Sequence, residues 1–483
     1  MRDKPNIILV VLDTVRARNL SCYGYHRQTT PFLTDFASDN TLFENAFSPA
    51  EWTPTSHASI FTGTYPWVHQ TGRKSSKLHP QLETLAEVLQ SDGYETVGFS
   101  SNTYISPVFE FDRGFDTFLF NSSAFGEPFS DGVPIQQMRQ SIDSATFPGE
   151  AWQALKYIRN NDGSLVQTFG NWIVKKLNKR GVFSQADSGA QKANSFVRDW
   201  LRRRDDDQPF FLFINYMEGH TPYQAPDQYL ADFGDPSDDR GWESLDRFFA
   251  DTDGDLDPTA SRLQDLYDGS ISYLDAQLRE LTESIDEYAD DETLIIITGD
   301  HGEAFGEHDI YGHTAGLYNE ITRVPLLIRD PARKKETSSE PVSIQWIMPT
   351  LLERIGLSLP EYCVDASLFE SSNPPVVGDT KALDLSVDIP DSIGHLTQPA
   401  RFCVDDEWKL ISGVDSDYSE LYMISDEEET EDCFSRYPDR VSEYRNRLSA
   451  EIERFPDLSE SYSGQVSIDS ETSQQLKELG YVE

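Results

Sequence analysis

Residues 6–14, NIILVVLDT, decide the fold. Ile7 to Leu12 is a continuous apolar run rich in β-branched residues, the composition of a strand buried on both faces of a parallel sheet. The run stops at Asp13. In open α/β sheets ligands bind at the carboxyl ends of the strands, so Asp13 is a functional candidate; the plainer alternative is an aspartate that only caps the following loop. Two further runs repeat the pattern. PFFLFINY (209–216) is followed by Glu218, His220 and Tyr223, and ETLIIITGD (292–300) runs into Asp300, His301 and Glu303. A fourth strand is read at VPLLIRD (324–330). TTPFLTDFAS, the segment starting LETLAEVLQ, AQKANSFVRDWLRRR, SRLQDLYDGSISYLDAQLRELTESI and SIQWIMPTLLERIG read as helices packed around the sheet.

The loop SPAEWTPTSHASIFTG (48–63) supplies a hydroxyl, Thr53, just ahead of a helix expected to begin at Thr55 and to stop at Thr62-Gly63. The amides of a helix start face any anion bound there. The plainer alternative is a capped surface helix, because threonine before proline is a common start.

Length and charge bound the rest. A chain of 483 residues suits a large α/β catalytic unit, residues 1–370, with a variable insertion at about 120–190, followed by a smaller subdomain at 371–483. In that subdomain ARFCVDDEWKLISG and SELYMIS read as strands, and ETSQQLKELGYVE as a closing helix. Asp and Glu number 83 against 40 Lys and Arg, a net charge of −43, which should repel nucleic acid and anionic membranes and suits a halophilic cytoplasm. Aromatics at 12% argue against an acidic disordered chain. Cys22, Cys363, Cys403 and Cys433 are scattered without zinc-site spacing and are expected to be reduced. The apolar start is too short for a signal core or a membrane span, so the expected location is cytoplasmic.

Asp13, Asp300 and His301 at strand ends suit one divalent cation. Their oxygen-rich set favours calcium, magnesium or manganese, with zinc admissible through His301. A hydroxyl at that ion, Thr53, loses its proton more easily and becomes a nucleophile. His220 and His313 are candidates for contacting the oxygens of a tetrahedral anion and protonating a leaving group. His57, four residues after Thr53 and on the same side of the helix, is a candidate for the same role. Asn102, near which the short strand read at the end of LETLAEVLQSDGYETVGFSSN stops, is a candidate substrate contact. Glu303, Glu307 and His308 are expected to build the loop rather than carry chemistry, and Arg16 and Arg18 to pair with surface acids.

PNIILVVLDTVRARNLSCYGY, SHASIFTGTYP, HTPY, TGDHGEAFGEH, LYNEITRVPLLIR and LKELGYVE together resemble the sulfatase family of the alkaline phosphatase superfamily. The resemblance covers nearly the whole chain. It implies a three-layer α/β sandwich on a mainly parallel sheet, with a smaller C-terminal subdomain holding an antiparallel sheet and a terminal helix. It also implies an ion held at Asp13, Asp300 and His301, Thr53 at the nucleophile position, and His220 and His313 on the substrate's anionic oxygens.

The departures bear on the reaction. Most sulfatases oxidise a Cys or Ser in a C/S-x-P-x-R motif to formylglycine. Here Thr53 holds that place, Pro54 comes one residue early, and His57 stands where the arginine would be. The usual paired aspartates are reduced to Asp13-Thr14, and the lysine-bearing segment after GY-x-T is GFSSN. A threonine nucleophile is similar instead to the phosphotransferases and phosphodiesterases of the superfamily. The expected activity is therefore hydrolysis or transfer of phosphate esters through a metal-bound threonine. The alternatives are sulfate ester hydrolysis by the unmodified threonine and a silent member that binds an anion or glycan. The expected partner is an anionic ester, a glycan or a small molecule.

Overall fold

The computed structural model describes residues 4–72, 75–121, 189–204, 208–223, 225–234, 257–289, 292–313, 315–381, 394–414, 416–455 and 458. Apart from their edges, the expected 120–190 insertion and the acidic stretch 234–258 lie outside the described residues, as does the helix expected at ETSQQLKELGYVE.

The centre is an eight-stranded sheet made of β1 (Ile7–Leu12), β2 (Thr41–Phe43), β3 (Glu95–Ser100), β4 (Thr117–Phe120), β5 (Phe210–Tyr216), β6 (Leu294–Gly299), β7 (Leu326–Arg329) and β8 (Thr337–Ser338). Their spatial order is β8-β2-β7-β6-β1-β5-β3-β4. β7 runs antiparallel to both of its neighbours, and the other pairings are parallel. The mainly parallel sheet that the family resemblance implied is therefore present, and β7 makes it mixed.

Around it lie α1 (Pro31–Asp39), α2 (Thr53–Thr62), α3 (Leu85–Ser91), α4 (Ala190–Leu201), α5 (Asp257–Tyr288) and α6 (Ile347–Ile355). β1 shows why three layers form. Ile7, Leu9 and Val11 enter one core with Phe61 of α2, Leu89 of α3 and Leu352 of α6. Ile8, Val10 and Leu12 enter the other with Leu33 of α1, Val197 of α4 and Leu278 of α5. A fully buried side chain of this kind contributes roughly 1.5–3 kcal/mol, so β1 is a rigid mount for Asp13.

α2 begins two residues earlier than its sequence suggested. Thr53 is already helical, Trp52 is the N-cap without a side-chain cap bond, and Ser56 N donates to Trp52 O at 2.9 Å. Pro54 fits the second helical position, where a missing N–H costs nothing. All ten residues of α2 are buried, which excludes the surface-helix alternative. Gly63 ends it at φ 63°, and a Cβ there would meet Cys363 Sγ at 2.5 Å.

Near the C-terminus a separate antiparallel sheet, in the order β9 (Val376–Thr380), β10 (Ala400–Val404), β11 (Trp408–Gly413) and β12 (Ser419–Met423), packs with α7 (Pro438–Arg454). No helix was read where α7 lies, because its apolar face is narrow: Val441, Tyr444 and Leu448 are buried in an otherwise charged helix. A buried network joins this sheet to the loop after β6. Lys409 Nζ lies 2.9 Å from Glu429 Oε1 and donates to Asn319 Oδ1 at 2.9 Å. His308 stacks flat on Tyr318, with ring centroids 3.8 Å apart, and its ring nitrogens face Glu320 Oε1 at 2.8 Å and the Glu429 carbonyl at 3.0 Å. Both of those atoms are acceptors, so both nitrogens carry hydrogen and the ring is an imidazolium.

Burial alone would lower the pKa of His308, but the hydrogen bonds and charge of Glu320 and Glu429 push it up to about 9. A folded pKa above the unfolded value of about 6.5 stabilises the protein fully below that pH, and the stabilisation is lost as pH rises to about 9. Wild type should therefore lose roughly 3 kcal/mol relative to His308→Gln between pH 6 and 9.5. Denaturant melts of both proteins across that range check this; a constant difference would refute it.

Candidate metal and nucleophile site

Strand register assembles the site. Leu12 pairs with Gly299 on β6 and with Tyr216 on β5, so Asp13 and Asp300 leave the sheet side by side. Ligand atoms of Asp13, Asp300 and His301 all lie within 4.8 Å of one another, and all three residues are fully buried. Thr53 reaches them from the start of α2, its Oγ1 3.0 Å from His301 Nε2. The helix is pinned there by Ser56 Oγ, which donates to the Asp300 carbonyl at 2.7 Å, and by Ser48 Oγ, which donates to Ser56 Oγ at 3.1 Å.

The hydrogen-bond pattern fits a cation. His301 Nδ1 faces the Gly302 carbonyl at 3.0 Å, so Nδ1 carries the hydrogen and Nε2 presents a lone pair. Asp300 Oδ1 accepts from Thr14 N at 3.0 Å and His301 N at 2.8 Å. Its Oδ2 accepts no hydrogen bond of ordinary length among the described residues and stands 3.5 Å from that His301 lone pair and 3.6 Å from His57 Nδ1. Asp13 Oδ1 accepts from Thr14 Oγ1 at 3.1 Å, and Oδ2 from Asn102 Nδ2 at 2.7 Å. Burial pushes Asp13 up, with the Asp300 charge adding to it, and pushes Asp300 up to about 7; burial lowers His301 to about 4. Two crowded buried carboxylates and an outward imidazole lone pair are the donor set of a divalent ion.

The other expected residues divide. His220 and His313 come to the same end of the sheet, with ring centroids 5.1 Å apart, and His313 lies 4.7 Å from the His301 ring. His57 lies against the site from inside the helix, its Nδ1 3.6 Å from Asp300 Oδ2. Its Nδ1 contacts the Thr53 carbonyl at 3.0 Å, and its ring meets Phe61, Phe111 and Phe213 edge to face. Burial holds it neutral, its pKa lowered to about 3. Asn102 is at the site beside Asp13: Oδ1 accepts from Tyr104 N at 2.9 Å, which orients the amide so that Nδ2 donates to Asp13 Oδ2.

Several contributors had been given no part in the site. Asn215, the one polar side chain inside the apolar run of β5, sits 3.5 Å from Asp13 Oδ2, and that interruption was the available signal. Thr14, at φ 59°, turns its N–H onto Asp300. Arg16 is fully buried rather than at the surface, donating to Glu307 Oε1 at 2.9 Å and to the Glu303 carbonyl at 2.8 Å. Glu303, also buried, touches His313, and burial raises its pKa to about 7.

An uncharacterized sulfatase, YidJ, of Escherichia coli strain K12 is 23% identical over 468 residues, covering 92% of this chain and 88% of that protein. An arylsulfatase of Clostridium perfringens is 25% identical over 390 residues, covering 76% and 78%. The crystal structure of a phosphonate monoester hydrolase of Agrobacterium radiobacter superposes with a TM-score of 0.66 at 18% identity, covering 94% of this chain and 97% of that one, and establishes the shared fold. The Sulfatase family model matches residues 5–357. With most of its length inside that match, the chain belongs to the sulfatase family, ester hydrolases of the alkaline phosphatase superfamily.

Proposed function

We propose that this sulfatase-family enzyme cleaves phosphate-type esters with Thr53 as an unmodified nucleophile. The observation that carries the reading is the Thr53 hydroxyl itself, 3.0 Å from His301 Nε2 at the buried start of α2, beside the Asp13–Asp300 pair. A secondary alcohol cannot be oxidised to an aldehyde, so the geminal diol that releases sulfate from formylglycine is not available. A group transferred to Thr53 has to leave by displacement at its central atom, a route open to phosphorus.

A divalent ion held by Asp13, Asp300 and His301, magnesium, manganese or calcium by its oxygen donors, would lower the pKa of the Thr53 hydroxyl and offset charge on the substrate. The chain's own groups do the rest. Thr53 gives up its hydroxyl proton to solvent, its Oγ1 attacks phosphorus as the bond to the ester oxygen breaks, and the leaving alkoxide takes a proton from His313. Water then displaces Thr53, its two protons restoring the Thr53 hydroxyl and His313 Nε2–H, and a monoester yields inorganic phosphate; an alcohol in place of water would make the step a transfer. His220 faces the anion beside His313, Asn102 orients Asp13, and His57 holds the Thr53 backbone.

Sulfate ester hydrolysis by the same threonine is the second reading, favoured by the arylsulfatase relative. The test is turnover of matched aryl phosphate, aryl phosphonate and aryl sulfate esters in high salt, suited to the acidic surface, with each ion in turn. Preference for the phosphorus esters is expected. Preference for the sulfate ester would overturn the proposal.

A further inference from the structure

Glu303 was expected only to shape a loop, yet its carboxylate is buried and bonded at both oxygens. Oε1 lies 3.0 Å from His313 Nδ1, and Oε2 accepts from the Tyr223 hydroxyl at 2.9 Å. Both partners come from other segments: Tyr223 from the loop after β5, and His313 from the position directly after the short strand Tyr311–Gly312. The mount is stiff. Arg16 Nη1 donates to the Glu303 carbonyl at 2.8 Å, and the Arg16 guanidinium lies 4.8 Å over the Phe305 ring. Tyr223 packs edge to face on Tyr267, whose hydroxyl donates to the Thr14 carbonyl at 2.8 Å. Glu303 is thus tied to the backbone next to Asp13.

Resting on the reading of His313 as proton donor, we infer that Glu303 is a positioning residue that fixes the tautomer and ring angle of His313 so that Nε2 delivers its proton to the leaving oxygen. A carboxylate on Nδ1 leaves that nitrogen holding its hydrogen throughout. The hydrogen on Nε2 passes to the ester oxygen as the P–O bond breaks, and the neutral ring stays bonded to Glu303 through Nδ1–H. The same arrangement orients histidines in other catalytic and metal sites. A loop staple alone would use the carboxylate equally well but would have no bearing on which ester is cleaved.

That difference is measurable. A general acid matters little for a leaving group that departs as a stable anion and much for a basic one, where it contributes roughly 10²–10⁴-fold. The experiment compares kcat/KM for a series of aryl phosphates, from 4-nitrophenyl to phenyl, in wild type, Glu303→Gln, His313→Gln and the double variant, all metal-loaded. Glu303→Gln should lose about 10²-fold on the phenyl ester while the 4-nitrophenyl ester changes by only a few-fold, steepening the dependence on leaving-group pKa. The double variant should match His313→Gln. Equal loss on every ester, or losses that add in the double variant, would overturn the inference and leave the Thr53 reading standing. An unaltered dependence in His313→Gln would overturn the assignment of His313 and the inference with it. Tyr223→Phe removes one hydroxyl and keeps the ring, so it serves if Glu303→Gln does not fold; a smaller steepening is expected, and none would count against the inference.

Discussion

Thr53→Ala is expected to abolish turnover, by about 10⁴-fold or more, while the protein stays folded and still binds its ion. The size reflects the group removed. Asp13, Asp300 and His301 remain to hold a cation, and His220 and His313 remain to meet the anion, so binding survives; the atom that forms the covalent bond does not. Stability should fall by only about 1 kcal/mol, since the side chain is small and its hydrogen bond to His301 is exchanged for whatever water enters. Thr53→Ser keeps the hydroxyl on a more mobile rotor and should retain activity within about 10–100-fold of wild type. The direct check is mass spectrometry of protein quenched during turnover: one phosphoryl group on the peptide containing residue 53 in wild type and none in the alanine variant. Undiminished turnover by Thr53→Ala would sink the nucleophile assignment.

What could be read in advance was what local pattern controls. The runs at β1, β5 and β6 are buried on both faces, so their composition marked them as central strands, and their ends placed Asp13, His220 and Asp300-His301 together through register. Thr53 and His57 share a side of α2, as four-residue spacing requires. The direction of the His57 ring was not legible, because Phe111 and Phe213 that enclose it come from distant segments. Asn102 likewise finds Asp13 across 89 positions of sequence. Arg16 looked like a surface charge because the acid and the aromatic ring that make its burial tolerable, Glu307 and Phe305, come from the far side of the sequence. Long-range pairing of polar groups, more than secondary structure, is what the linear pattern concealed.

Asp300→Asn separates the cost of the site from its use. Asparagine has nearly the same shape, and its carbonyl oxygen can keep accepting from Thr14 N and His301 N as Asp300 Oδ1 does now. The amide nitrogen would then stand at the Oδ2 position, 3.5 Å from the His301 lone pair, where it can donate. A buried carboxylate oxygen with no hydrogen bond of ordinary length, beside a second buried carboxylate, disfavours the folded state until a cation offsets the charge. In metal-free buffer at pH 8 the variant should therefore be as stable as wild type or more so, by about 1–4 kcal/mol. Adding a divalent ion should reverse the order: wild type gains stability with ion concentration, as any ligand bound by the folded state alone requires, and the variant gains little. Activity of the variant should fall by about 10³-fold or more, because the hydroxyl of Thr53 is no longer acidified and substrate charge is no longer offset. Thermal melts with chelator and with graded manganese or magnesium give both halves of the test. A variant less stable than wild type in chelator would mean that the buried carboxylate stabilises the fold by itself, and a variant that gains as much from the ion would remove Asp300 from the ligand set.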